Sequence, residues 1–85
     1  MNITVVDVRT EQEFAGGHVD GSINIPVQEI PSRVDDLRNI EGHIVLCCAS
    51  GARSQSAYNY LLQNGIQNIS NGGPWYVVKV NELQN

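Results

Sequence analysis

The run Ile3-Thr4-Val5-Val6-Asp7-Val8 is β-branched and mostly apolar, without clean alternation of polar and apolar positions. That is the pattern of a strand covered on both faces of a parallel sheet. Ile44-Val45-Leu46-Cys47 repeats it. Shorter strand candidates are Ser22-Ile23-Asn24-Ile25, closed by Pro26, and Ile66-Gln67-Asn68-Ile69, closed by Asn71-Gly72-Gly73-Pro74. Between the second and third candidates, Pro31 can open a helix at its first turn. Val34 and Leu37 then sit three apart, with Asp35, Asp36 and Arg38 on other faces. Between the third and fourth, Ser54 to Asn64 places Ala57, Tyr60 and Leu61 on one stripe, and Gly65 supplies the left-handed residue that ends the helix. Glu11 to Ala15 predicts a single helical turn. Strands alternating with helices predict an α/β fold with right-handed crossovers and a parallel sheet covered on both sides.

The 85 residues make one domain, 1–85, since a second core would leave each half near the limit for folding without staples. At 41% hydrophobic and 16% charged, the chain lacks the signature of disorder and should fold alone. A net charge of −4 with no basic stripe argues against nucleic-acid binding. The longest apolar run, Ile44 to Ala49, is far too short to cross a bilayer, and no charged-then-apolar leader precedes Asn2. A soluble, monomeric, cytoplasmic protein with no membrane partner is expected, or a periplasmic one if a leader has been removed. Cys47 and Cys48 are too few for a disulfide scaffold and too close for an unstrained bridge, so both are read as free thiols.

Chemistry concentrates where Cys47-Cys48-Ala49-Ser50-Gly51-Ala52-Arg53-Ser54 joins a buried strand to an amphipathic helix. Such a loop lies at the carboxyl edge of the sheet, where open α/β folds put their sites. Small residues at 49 to 52 allow successive N–H groups to point inward, an anion-binding nest beside a positive helix N-terminus. Those donors, with Arg53 at the far end, should stabilise a thiolate and lower its pKa. Adjacent strand residues face opposite ways, so only one cysteine can point into the loop. Cys48 is assigned to the loop, and Cys47 is read as a buried strand residue.

Four segments in order then carry a resemblance: Asp7-Val8-Arg9 with Glu13; Gly17-His18-Val19-Asp20-Gly21-Ser22-Ile23-Asn24-Ile25-Pro26; Cys48 to Ser54; and Asn71-Gly72-Gly73. Together they resemble the rhodanese-like domain in its single-domain bacterial form, similar in size to the phage shock protein E type of thiosulfate sulfurtransferase. The resemblance implies a three-layer sandwich, a short, mostly parallel β-sheet flanked by helices. It also implies an enzyme whose loop cysteine accepts a sulfane sulfur from thiosulfate or another donor, becomes a persulfide, and passes the sulfur to an acceptor such as cyanide. Donor and acceptor would be small molecules or proteins, and no cofactor is implied. Carried over by motif, Cys48 is the sulfur-accepting nucleophile. Ala49, Ser50, Gly51, Ala52 and Arg53 hold the persulfide, and Asp7, Arg9 and Ser54 support them. Asp7 lies near the carboxyl end of the first strand, so it is expected to pair with Arg53 and brace it.

The chain departs from the family at Ala49, where many sulfurtransferases carry a charged or larger polar residue that helps hold an anionic donor. The family's usual N-terminal strand and helix also have no counterpart before Ile3, so a trimmed sheet is expected. His18 is read as structural, because persulfide exchange by an activated thiolate needs no base. His43 is expected at the surface. Two histidines and two adjacent cysteines lack the spacing of a zinc site, and no metal is expected. Gly16-Gly17 and Gly72-Gly73 are assigned to turns. Tyr58, Tyr60, Trp75 and Tyr76 are assigned to core and rim. Counted from Cys47, the same string resembles the longer loop of cysteine-dependent phosphatases, but no aspartic general acid can be placed. A non-catalytic interaction module of the same fold is the third reading.

Overall fold

A computed structural model describes the backbone of residues 2–84 and the side chains of residues 2–79. The chain runs β1 (Ile3–Asp7), α1 (Glu11–Ala15), β2 (Ile23–Asn24), a 3-10 helix (Val27–Arg33), α2 (Val34–Arg38), β3 (His43–Cys48), α3 (Ala52–Gln63), β4 (Ile69–Pro74) and α4 (Trp75–Gln84). The strands form one parallel sheet in the order β2-β1-β3-β4. All their carboxyl ends therefore share one edge, and β3, which ends in the cysteines, is central.

The unalternating apolar runs of β1 and β3 are explained by cover on both faces. Val6, Val8, Ile44, Leu46 and Cys48 pack with Ile30, Leu37, Ala57 and Leu61 on one side. Val5 and Cys47 pack with Val19 and Val78 on the other, where Trp75 adds partial cover. Burying the larger aliphatic side chains stabilises the first cluster by about 1.5–3 kcal/mol each.

Several expected elements move. Pro31 does not open a helix but lies inside the 3-10 helix that leads into α2. On α3 the buried stripe is Ser54, Ala57 and Leu61, while Tyr60 is exposed at its edge. The fourth strand is Ile69–Pro74 rather than Ile66–Ile69, so the segment assigned to a turn is a strand. Gly72 belongs to that strand. The β3·β4 register slips between Leu46 and Cys47, so that Asn71 and Gly73 pair with them and Gly72 is the extra residue of a bulge. A Cβ on Gly72 would lie 2.6 Å from Val78 Cγ2 and 2.7 Å from Val45 Cγ1, which is why glycine alone lets α4 approach the sheet. The short turn α1 forms as expected, closed by a capping box between Thr10 and Glu13.

Candidate functional site

β3 delivers Cys48 to the carboxyl edge, and the chain must then turn within three residues into α3. Gly51 makes that turn possible at φ 100°, a left-handed conformation that costs other residues free energy. The turn folds the loop back over the sulfur. Gly51 N–H donates to Cys48 Sγ at 3.0 Å and Ser54 N–H at 3.4 Å, with Ser54 Oγ also at 3.4 Å. Burial raises the Cys48 thiol, but the Ser54 hydroxyl and N–H and the Gly51 and Ser50 amides outweigh it and bring it below its ordinary value. The sulfur is fully covered, while Ala49 and Ser50 form an exposed rim above it.

Asn71, which carried no role in the sequence reading, is the hub that holds this loop. Its Oδ1 accepts from Ser54 Oγ at 2.6 Å and from Gly73 N–H at 3.0 Å. Its Nδ2 donates to Gly51 O at 3.2 Å and Gln55 Oε1 at 3.0 Å. All four hydrogen-bonding positions of the amide are used, tying β4 to the loop and to the first turn of α3. The signal for it was its place in the Asn71-Gly72-Gly73 segment that carries the family resemblance, which implied no role for its side chain.

Arg53 does not pair with Asp7. Its Nη1 and Nη2 donate to the two carboxylate oxygens of Glu13 at 2.7 and 3.0 Å. That bond, followed by the Thr10 N–H, holds the Glu13 carboxyl down at about 2. Asp7 instead takes the nearer Arg9: Nη2 lies 2.7 Å from Oδ2, Nε reaches both oxygens, and the Arg9 backbone N–H adds another bond at 3.0 Å. The pair is buried. Arg9 also donates to Gly17 O at 2.7 Å and lies 4.8 Å from the Trp75 ring centre, so it pins the segment after α1 and the start of α4. The expected bracing of Arg53 by Asp7 fails because Arg9 is only two residues away and completes a fork on the same carboxylate.

Both the sequence and the fold of this chain match known proteins. A sequence model of the rhodanese-like domain covers residues 1–73. The chain belongs to the rhodanese-like domain family. It is 36% identical to rhodanese-like domain-containing protein 17 of Arabidopsis thaliana, over 93% of this chain and 59% of that protein. It is 34% identical to a sulfurtransferase of Allochromatium vinosum, over 82% of this chain and 64% of that protein. The rhodanese-like domain thus spans less than two thirds of either relative's length. A rhodanese with anions from E. coli matches its structure with a TM-score of 0.80 at 26% identity, covering 89% of this chain and 91% of that one.

The second thiol of this rhodanese-like domain faces away from the loop. Cys47 is fully covered among Val5, Val19 and Val78. Burial, followed by the negative charge of Asp7, pushes its thiol up to about 12. The phosphatase register therefore starts from a cysteine on the wrong side of the sheet. His18 stacks on Phe14 at 3.8 Å, with Nδ1 2.8 Å from Phe14 O, a local structural role. His43 is half-buried rather than on the surface, with Nε2 2.9 Å from Ser70 Oγ at the opposite edge of the sheet.

Proposed function

We propose that this rhodanese-like domain moves sulfane sulfur through a persulfide on Cys48, in the manner of the small phage shock protein E type sulfurtransferases. The observation that carries the reading is the set of N–H donors from Gly51 and Ser54 aimed at Cys48 Sγ. The Cys48 thiolate attacks the outer sulfur of a donor. A sulfur–sulfur bond forms as the donor's own bond to that sulfur breaks, and the electron pair leaves with sulfite from thiosulfate or with a thiolate from a persulfide. The loop from Ala49 to Arg53 then surrounds an anionic persulfide, for which its amides and the start of α3 are suited donors. Cyanide or another thiophile attacks the outer sulfur in turn and restores the Cys48 thiolate. Neither step transfers a proton to carbon or oxygen, which fits the absence of a base role for His18.

Intact-protein mass spectrometry after exposure to thiosulfate and, separately, to an organic persulfide tests this. One added sulfur on Cys48 that cyanide removes is expected. A protein that gains no sulfur from either donor, or gains it elsewhere, would overturn the reading.

A further inference from the structure

Each of the four arginines in the sequence lies beside a carboxylate: Arg9 with Asp7, Arg33 with Asp36, Arg38 with Asp35, and Arg53 with Glu13. Lys79 lies over the Trp75 ring at 5.9 Å. Arg53 alone of these five cations belongs to the Cys48 loop and the helix turn that follows it, and its charge interacts with that of Cys48. Both of its terminal nitrogens are taken by Glu13, at 2.7 and 3.0 Å. Glu13 is itself fixed, because its Oε1 accepts from Thr10 N–H and Thr10 Oγ1, each at 3.1 Å. Its carboxyl, held at about 2, stays ionised throughout the neutral range. The rim residues Ala49 and Ser50 bring no charge, and the chain as a whole carries −4. An anion approaching Cys48 meets amide dipoles but a cation whose fork is already occupied.

We infer that Glu13 is a charge-selecting residue that, by holding the Arg53 guanidinium, favours sulfur donors of low charge, organic persulfides, over doubly anionic thiosulfate. The inference rests on the sulfur-transfer reading for its donors. For a persulfide R–S–SH, the Cys48 thiolate bonds the outer sulfur, the sulfur–sulfur bond between inner and outer sulfur breaks, and R–S⁻ leaves with its electron pair, so Cys48 becomes a persulfide with no further reactant. Glu13 touches Arg53 and not the reacting sulfur, and acts through position.

The test is Glu13→Gln, since glutamine keeps an Oε1 for Thr10 and can still close the capping box while losing the charge. The first readout is the rate of Cys48 alkylation by anionic iodoacetate divided by that for neutral iodoacetamide, which needs no sulfur transfer. At low ionic strength the ratio should rise about threefold, and the gain should fade with added salt. The KM for thiosulfate should fall alongside it. A ratio that stays flat, a rise indifferent to salt, or an unchanged thiosulfate KM would overturn the inference. A ratio that rises in a protein taking sulfur from neither donor would support the charge selection and overturn the sulfur-transfer reading instead.

Discussion

Cys47 and Cys48 are joined by one peptide bond, and both are fully covered, yet the two faces of the sheet treat them in opposite ways. Toward α3, Cys48 meets the N–H groups of Gly51 and Ser54 and the Ser54 hydroxyl. Toward α4, Cys47 meets aliphatic side chains and the negative charge of Asp7. Burial raises both thiols. Only the first face supplies donors enough to reverse it, so Cys48 ends below the ordinary thiol value while Cys47 rises to about 12. What separates the two buried thiols is the direction of nearby dipoles rather than exposure.

The sharpest way to break this contrast is to remove each sulfur. Cys48→Ser should reduce sulfur transfer to the uncatalysed level, because the serine hydroxyl is not ionised at neutral pH and forms no persulfide. Cys47→Ala should keep transfer within about twofold and cost only about 1–2 kcal/mol of stability, as expected for deleting a small buried group. Sulfur-transfer assays with urea melts check both halves. Activity surviving in the Cys48 variant, or lost with Cys47 in a folded protein, would reverse the assignment of the two faces.

A smaller effect probes how the α4 face is closed. Gly72→Ala places a methyl group where Val78 and Val45 already stand, at 2.6 and 2.7 Å from the added carbon. Such overpacking should cost about 1–3 kcal/mol, read as a lower urea midpoint. An unchanged midpoint would mean that α4 can lift off the sheet freely and that Cys47 is less well covered than its surroundings indicate.

Gly72 also shows where the sequence stops being legible. The doubly covered strands were readable because apolar runs such as Ile44-Val45-Leu46-Cys47 have few other uses, and the opposite facing of the two cysteines followed from strand geometry. Asn-Gly-Gly-Pro has the residues of a turn, and its use as a strand depends on a bulge and on α4 lying close above, neither of which is a local property. The α4 segment opens Trp75-Tyr76-Val77-Val78, aromatic and β-branched residues of weak helix preference, so its helix is set by packing against Val5 and Cys47. In the site, the loop was legible as a loop and its small residues as a nest. That Asp7 and Arg53 approach one edge was readable too. Which carboxylate each arginine takes was not, since Arg9 and Glu13 compete for partners through geometry that no spacing encodes.

The last and smallest effect concerns the donor that distinguishes Cys48 most directly from its neighbour. Ser54 has one hydroxyl proton and three acceptors within reach: Asn71 Oδ1 at 2.6 Å, Gly51 O at 3.1 Å and Cys48 Sγ at 3.4 Å. When Cys48 ionises, turning that proton toward the sulfur stabilises the thiolate, and Ser54→Ala removes the option. The thiolate is the form that alkylates, and its pKa is depressed, so reactivity in the parent protein should set in below the ordinary thiol range and move to higher pH in the variant. A hydrogen bond of about 1 kcal/mol corresponds to about fivefold less thiolate at neutral pH, provided most of the thiol is then protonated. Cys47, at about 12, stays silent across that range, so the profile reports Cys48 alone. A shift to lower pH in Ser54→Ala would show that Ser54 acts as acceptor for the Cys48 thiol proton, with its own proton kept on Asn71, and would leave the loop amides as the source of the depressed value.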